Sequence, residues 1–266
     1  MRPKISVVYV TARRGGLDIL RDNLKKQIFR NFELIVVDAL AKERIGEATF
    51  FLGEICKPVH YFGEPPKEDG DVWALNKAYN EAFRHCSGEL VVSIQDYIWI
   101  PADGLQKFWD RYQETKDWVS GVGHKAVLPI LNPIDNLRTF ESLIKPEGIS
   151  EMDTRIDGDT SFVETNYSFF ELNYAALPLN DVKAIGGMDE RYDKGYSCDN
   201  VNLALRAFLH GAKFYLDKSN ECIGYNQGAT FPRPKDWEQR HNKYELHPRI
   251  ADAIMDGKES YILDYL

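Results

Sequence analysis

Isolated carboxylates stand at the ends of apolar segments of this chain. Asp38 follows the run at 34–37, Asp96 follows the run at 90–94, and Asp199 opens an amphipathic segment. A carboxylate can remove a proton from a hydroxyl. It can also share a divalent cation with substrate phosphates, because hard cations prefer oxygen ligands. Carboxylates around a nucleotide-sized crevice therefore suit the transfer of a sugar from a nucleoside diphosphate.

The sequence lacks the motifs of several other classes of enzyme. TARRGG at 11–16 does not have the GxGxxG spacing, and GxxxxGK[ST], HExxH and GxSxG are absent. The four cysteines are spread without a CxxC pair, which argues against a zinc or dithiol site and predicts reduced thiols. Cys198 has no neighbouring His that would activate it, so covalent catalysis is not favoured.

The totals of the sequence limit the class of protein. The 266 residues have a net charge of −8, which disfavours a general binder of nucleic-acid phosphates. The apolar run near the N-terminus is short and precedes no cleavage site, and no run is long enough to cross a bilayer. A cytoplasmic protein without a transmembrane segment is predicted, and peripheral attachment to a membrane stays open.

Strand and helix patterns alternate through the first hundred residues. Apolar β-branched runs predict strands at 5–10, 34–37, 58–62 and 90–94, and the periodicity between them predicts helices at 17–29, 42–55 and 72–85. This order indicates an α/β fold with a parallel sheet covered by helices. Ligands bind such sheets at the carboxyl ends of the strands, so Thr11 to Arg13, Asp38 and Asp96 are predicted to share one rim.

The second half of the chain is less regular. A helix is predicted at 101–112, strands at 118–123 and 169–177, a short helix at 179–185, and short strands at 213–216 and 221–225. Residues 125–165 are polar and without a steady period, and they are interpreted as an excursion that covers a site. The tail from 231 to 266 mixes aromatic and charged residues and is predicted to form helices or a lid.

Four stretches together resemble a known family. ISVVYVTARRGG, ELIVVDA, the Asn76 helix before GELVVSIQDYIWIP, and GGMDERYDKGYSCDNVNLALRAFLHGAKF resemble successive motifs of GT-A fold glycosyltransferases, particularly the inverting enzymes of family 2. The resemblance implies a Rossmann-like, mostly parallel sheet flanked by helices. It further implies a GT-A domain at 1–230, with a nucleotide-sugar half at 1–100 and an acceptor half at 101–230, followed by a C-terminal extension at 231–266.

The resemblance also implies roles on the donor side. It assigns nucleotide contacts to the ends of the first, second and fourth strands and to the helix before the fourth, namely Thr11, Ala12, Arg13, Asp38, Trp73, Asn76, Gln95 and Asp96. The family's DxD-type metal motif falls on residues 94–97, where only Asp96 carries a carboxylate. Binding of Mn²⁺ or Mg²⁺ would therefore rest on Asp96, with Gln95, water and the diphosphate. His241 is the nearest substitute for the downstream His ligand of some members.

On the acceptor side the resemblance assigns the general base to Asp199, although the acid that precedes this base in the family is replaced by Cys198. The turn that lines the sugar and acceptor falls on Gly186, Gly187, Met188 and Asp189, and Trp99 lies close enough to the rim to stack on a sugar. The alternative interpretation of Asp199 is a helix cap, because an acid in the first turn is favoured by the helix dipole.

The resulting prediction is an inverting glycosyltransferase. Its partners would be a UDP-, GDP- or dTDP-sugar donor and an acceptor glycan or other hydroxyl compound, with a nucleic-acid acceptor disfavoured by the acidic total. The loss of acids at Gln95, Tyr97 and Cys198 keeps a second hypothesis open, a degenerate GT-A domain that binds a nucleotide or glycan without transfer. A nucleotidyltransferase or metal nuclease ranks last, because it would need paired carboxylates.

Overall fold

One mixed sheet organises the chain in a computed structural model, which describes residues 3–55, 58–126, 133–146, 148–156, 159–225 and 240–266. The main path of the sheet has its strands in the spatial order Val59–Gly63, Phe32–Asp38, Ile5–Thr11, Leu90–Ile94, Tyr174–Pro178, Trp118–Ala126, Phe214–Gly224 and Ile98–Trp99. Two short strands off this path, Ile149–Glu151 and Phe162–Thr165, pair with Trp118–Ala126 and Phe214–Gly224 respectively. The predicted α/β class with a mostly parallel sheet is confirmed.

The first half is a run of parallel strands with intervening helices. Strands β1 (Ile5–Thr11), β2 (Phe32–Asp38), β3 (Val59–Gly63) and β4 (Leu90–Ile94) alternate with helices α1 (Leu17–Lys25), α2 (Ala41–Leu52) and α3 (Leu75–His85). Successive residues of a strand point to opposite faces of the sheet. Val7 therefore packs in a core with Leu20 of α1, while Val8 packs in a second core with Phe83 of α3. Burial on both faces explains why β1 is a continuous apolar run.

The second half adds the antiparallel strands. The strand β5 (Ile98–Trp99) precedes α4 (Gly104–Thr115) and β6 (Trp118–Ala126), and the excursion contributes β7 (Ile149–Glu151) and β8 (Phe162–Thr165). The strand β9 (Tyr174–Pro178) lies antiparallel between β4 and β6. It is followed by α5 (Leu179–Ala184), α6 (Asp199–Leu209) and β10 (Phe214–Gly224).

Two predicted boundaries differ from the structure. The strand predicted at 169–177 begins only at Tyr174, because a 3₁₀ turn at Tyr167–Phe169 precedes it. The two short strands predicted near the end form one strand, β10, whose register to β6 is irregular between Leu216 and Glu221. Asp217 accepts hydrogen bonds from the backbone and hydroxyl of Ser219 at this irregularity, which gives the intervening polar residues their partners.

Residues 240–255 of the C-terminal extension are helical, one of the two forms predicted for it, and residues 256–266 form turns and irregular chain. A π-helical turn at His241–Leu246 continues into α7 (His247–Met255), and Leu246, Ile250 and Ile254 pack against Tyr192. The hydroxyl of Tyr192 is 2.8 Å from Nδ1 of His247. Across the residues with described structure, none of the helices combines the length and the apolar character that a membrane span requires.

Candidate active site

The rim at the ends of β1 and β4 brings together Thr11, Arg13 and Asp96. The hydroxyl of Thr11 donates to Asp96 Oδ2 at 3.0 Å, and Arg13 Nη2 lies 2.9 Å from Asp96 Oδ1. Both charged side chains are less than a tenth exposed. The ends of the first and fourth strands therefore lie together, as predicted, and the Arg13–Asp96 ion pair joins them. Ala12 is exposed on the same loop, and Gln95 is half-buried beside Asp96.

Asp96 is held in a strained and desolvated position. Burial raises the pKa of the Asp96 carboxyl, and the Arg13 charge and the Thr11 hydrogen bond oppose that rise. The next residue, Tyr97, has a φ of 62°, a left-handed conformation that is uncommon for a side chain of this size. Its hydroxyl donates to the carbonyl of Arg14, which ties the end of β4 to the loop after β1.

Asp38 is placed at the predicted strand end, but its carboxylate is fully buried and committed to other side chains. Arg44 Nε donates to Oδ2 at 2.6 Å and Arg44 Nη2 donates to Oδ1 at 2.8 Å. Tyr61 and the backbone of Leu40 also donate to this carboxylate. Direct contact between Asp38 and a nucleotide, as predicted from the sequence, would require these groups to move. In this structure Asp38 holds the side chains of Arg44 and Tyr61 at the end of β2.

Residues 133–140, which we call the cover segment, pack on the loop after β1. Gly15 N donates to the carbonyl of Asn136 at 3.2 Å, and Thr139 N donates to Asp18 Oδ2 at 2.9 Å. The guanidinium of Arg44 also donates to the carbonyl of Asn136. This part of the predicted excursion therefore packs beside the end of β1.

The start of α3 is fixed by an acid that the sequence did not single out. Asp193 accepts from the backbone and side-chain amides of Asn76, both at 2.8 Å, and from Lys77 N at 3.1 Å. Burial raises the pKa of Asp193 to about 7. Asn76 is wholly buried, and its contact with a nucleotide stays a prediction. Trp73 is half-buried and packs on Tyr196, with ring centroids 4.9 Å apart.

Asp199 is the first residue of α6 and follows two strained residues. Ser197 and Cys198 have φ values of 82° and 66°. Left-handed conformations of such residues cost about 1–3 kcal/mol each and persist only where the surroundings impose them. Asn242 in the C-terminal extension helps to impose this one, because its side-chain amide donates to the carbonyl of Ser197 at 3.1 Å. Burial raises the pKa of the half-buried Asp199, and the backbone amide of Asn200 opposes that rise.

The acids from the two halves of the chain share one neighbourhood. The charges of Asp199 and Asp96 both raise the pKa of the buried Tyr79 phenol, after the larger effect of burial. Burial also raises the pKa of Tyr196, as does Asp199, while Arg13 lowers it. Tyr196 therefore lies near both the proposed base and the cation of the rim.

The predicted acceptor turn has a different environment. Gly186, Gly187, Met188 and Asp189 lie under the C-terminal tail and α3: Leu263 N donates to the carbonyl of Ile185 at 3.1 Å. Met188 is fully buried, and Asp189 is engaged by Arg191. Neighbouring chain segments cover these residues in this structure, and their contact with sugar or acceptor stays a prediction.

We expect Gly186→Ala to destabilise the fold and to release the tail. Gly186 has a φ of +76°, and a Cβ there would lie 1.8 Å from the carbonyl oxygen of Leu263. Gly211 provides the matched control, because its φ is +103° and an added Cβ meets nothing within 4 Å. Gly211→Ala should cost about 1 kcal/mol of unfolding free energy from backbone strain alone, and Gly186→Ala about 2 kcal/mol or more. Urea denaturation and carboxypeptidase digestion measure both effects; equal losses would contradict the packing argument.

Two further predicted residues lie apart from the ion pair at the rim. Trp99 on the edge strand β5 packs between the ammonium groups of Lys26 and Lys145, at 4.8 and 4.9 Å from its ring. Its stacking on a sugar therefore stays a prediction. His241 Nδ1 lies 3.2 Å from Glu245 Oε2 within its own helical turn.

The donor groups present do not fit a preformed metal site. Among the residues whose structure is described, no three His, Cys, Asp or Glu side chains are grouped to hold a metal. Both oxygens of Asp96 already have partners in Thr11 and Arg13. A guanidinium therefore stands beside the carboxylate on which the predicted Mn²⁺ or Mg²⁺ site depends. Binding of either metal stays a prediction.

A comparison with solved structures shows that this fold is similar to that of S. aureus TarS. Residues 1–349 of TarS in complex with UDP-GlcNAc match with a TM-score of 0.64 and 15% identity, covering 95% of this chain and 67% of that one. The complex of the same TarS residues with UDP matches with a TM-score of 0.57 and 14% identity, over 84% of this chain and 60% of that one. A longer TarS structure has a TM-score of 0.59 and 15% identity, over 95% of this chain and 40% of its own length.

Other comparisons give no match. No protein-family model matches the sequence, and no curated protein matches it. The chain spans 60% of the TarS structure with UDP, and identities of 14–15% show a shared fold alone. The GT-A architecture predicted from the sequence is thereby confirmed.

Proposed function

We propose that this chain transfers a sugar from a UDP-sugar to an acceptor hydroxyl with inversion at the anomeric carbon. The observation that supports the proposal most is that one segment, residues 170–173, joins the two acids: Phe170 accepts from Asn200 beside Asp199, and Asn173 accepts from Gln95 beside Asp96, which pairs with Arg13. The likeness of the fold to TarS bound to UDP and to UDP-GlcNAc supports a UDP-sugar as the donor. The rim then divides into a donor side at Arg13 and an acceptor side at Asp199.

The proposed reaction is a single displacement. The acceptor oxygen attacks the anomeric carbon and forms the new glycosidic bond while the bond to the diphosphate breaks. The proton of the acceptor hydroxyl passes to a carboxylate oxygen of Asp199, and UDP leaves with the bonding electron pair. Desolvation raises the pKa of Asp199 and makes its carboxylate a stronger base than an exposed Asp, which suits this role.

Arg13 is the proposed partner of the leaving diphosphate. Its guanidinium is positioned by Asp96 and lies near Tyr196, which also feels the charge of Asp199. A guanidinium matches phosphate oxygens in geometry and remains charged at all relevant pH values. We therefore assign the compensation of the leaving-group charge to Arg13, and no step of the proposed reaction passes through a metal.

We expect calorimetry to detect binding of UDP in EDTA, because Arg13 supplies a cation at the rim. UDP, GDP, dTDP and CMP are titrated with EDTA and with Mn²⁺, and the UDP titration is repeated with Arg13→Gln. Removing a charge-assisted contact should weaken UDP binding by about tenfold or more. Arg14→Gln is the matched control, since Arg14 is exposed on the same loop.

The outcomes separate the proposal from its alternatives. UDP binding only with Mn²⁺ would contradict the role given to Arg13 and support the predicted metal. Tight UDP binding without hydrolysis or transfer of any UDP-sugar would favour the degenerate binding domain. The replacement of expected acids by Gln95 and Cys198 is the observation behind that second candidate.

A further inference from the structure

A cavity of about 370 Å³ lies beside the sheet, at the segment that precedes β9. Its walls come from β6, from the chain after β7, and from the segment that leads into β9, with Gly123, Asp153, Arg155, Phe169, Glu171 and Asn173 among the lining residues. Ligand pockets commonly have volumes of about 300–1,000 Å³. The cavity is therefore large enough for a small ligand.

Two hydrogen bonds connect the cavity wall to the residues of the proposed reaction. Gln95 N, next to Asp96, donates to the carbonyl of Asn173 at 2.8 Å. The side-chain amide of Asn200, next to Asp199, donates to the carbonyl of Phe170 at 3.1 Å. The segment that contributes Glu171 and Asn173 is thus held between the end of β4 and the start of α6.

Among the described residues that line the cavity, Arg155 alone carries a guanidinium, and this group is already bonded to its neighbours. Arg155 Nε donates to Asp153 Oδ1 at 2.9 Å, and Arg155 Nη1 donates to the carbonyl of Phe169 at 3.0 Å. Desolvation opposes the ionisation of Asp153, but its bonds with Arg155 and with Gly123 N lower its pKa to about 2. This pair is internally neutralised, so it offers little free positive charge to a ligand.

Glu171 and Asn173 are two of the polar residues that line the cavity. Both side chains are exposed, and their mutual contact is long at 3.5 Å. A carboxylate accepts hydrogen bonds from hydroxyls, and an amide both donates and accepts. Phe169, which is 52% exposed, adds an apolar ring. A phosphate in this cavity would face the charge of Glu171, which is itself within the electrostatic reach of Asp199.

We propose that this cavity is the acceptor pocket and that it takes an uncharged, hydroxyl-rich acceptor such as the end of a glycan. The inference rests on the proposed function, because it takes Asp199 as the base toward which the acceptor hydroxyl is presented. Glu171 and Asn173 hold hydroxyls of the acceptor that do not react, and Phe169 contacts the C–H face of its ring. The repulsion by Glu171 discriminates against phosphorylated acceptors.

The test is saturation-transfer NMR on the full chain with UDP present. The uncharged probes are the methyl β-glycosides of glucose, galactose and N-acetylglucosamine, and the anionic probe is glucose 6-phosphate. We expect at least one glycoside to bind, and Glu171→Gln to weaken that binding by about tenfold, the effect of losing a hydrogen bond to a charged group. Glu164→Gln is the matched control on β8, outside the lining of the cavity.

The readouts keep this inference apart from the proposed function, since calorimetry with UDP tests the donor side by itself. UDP binding without binding of any glycoside would overturn the assignment of this cavity as the acceptor pocket. Binding of glucose 6-phosphate more tightly than the glycosides would also overturn it. Glycoside binding that is equal in the Glu171→Gln and Glu164→Gln variants would overturn it too. Glycoside binding that depends on Glu171 in a chain that does not bind UDP would support a glycan pocket and reject the proposed transfer.

Discussion

Asp199→Asn should abolish sugar transfer and leave UDP binding unchanged. An amide cannot accept the proton of the acceptor hydroxyl, and general-base catalysis contributes about 10²–10⁴-fold to a rate. The donor side depends on Arg13 and Asp96, which the substitution does not touch. We therefore expect kcat to fall by this factor while the Kd of UDP in calorimetry stays constant. Asp252→Asn, the same change at an exposed site on α7, is the control.

The same carboxylate predicts the pH dependence of transfer. Desolvation raises the pKa of Asp199, and only the ionised form is a base. The rate should fall as the pH drops through this raised pKa, and the residual rate of Asp199→Asn should lack that acidic limb. The pH dependence of stability has the opposite sign to that of a helix cap, which stabilises the fold in its ionised form. The raised pKa of Asp199 in the folded state favours folding at low pH, and this contribution to stability is lost as the pH rises. Near neutral pH the Asn variant should thus unfold at an equal or higher urea concentration.

These two measurements separate catalysis from the helix-cap interpretation. If Asp199 only capped α6, the Asn variant would keep its turnover and lose about 1 kcal/mol of stability or less. Near-normal turnover would reject Asp199 as the base. Loss of turnover together with a large loss of stability would also count against the assignment, because a misfolded rim would explain both.

Arg44→Ala should destabilise the protein by about 3–5 kcal/mol, because it leaves the buried Asp38 carboxylate without its countercharge. Both side chains are fully buried, and two hydrogen bonds of 2.6 and 2.8 Å join them. The substitution also removes the donor to Asn136 in the cover segment. Equilibrium urea denaturation measures the free energy, and faster proteolysis of the cover segment should accompany the loss.

A double variant tests the cause of that loss. In Arg44→Met with Asp38→Asn no charge remains buried, so about 2 kcal/mol of the loss should be recovered. Arg14→Ala provides the exposed control, since Arg14 pairs with Glu43 at 3.6 Å on the surface and such pairs contribute about 0–1 kcal/mol. A loss below about 1 kcal/mol for Arg44→Ala would show that Asp38 is not held as a buried anion.

The placement of the candidate site was only partly accessible from the sequence. Glu171 and Asn173 precede an apolar strand, but their position at the rim depends on β9 running antiparallel to β4, which no pattern in the sequence indicates. Asp193 and Asn242 look like ordinary polar residues, and their roles arise from contacts between residues 45 to 117 positions apart. Arg44 follows Asp38 by six residues, a weak signal that a pairing across the strand end was available.

The alternation of strands and helices and the acids at the strand ends could be predicted from the sequence. These are local properties: an apolar β-branched run prefers a buried strand, and parallel strands deliver their carboxyl ends to one rim. Which of those carboxylates are paired with a cation depends on the tertiary packing of distant segments. Asp38 is neutralised by Arg44, and Asp96 is paired with Arg13. The glycine pair at 186–187 lies under the tail. Burial and pairing depend on which distant segments pack together, and the spacing of residues along the chain does not specify this.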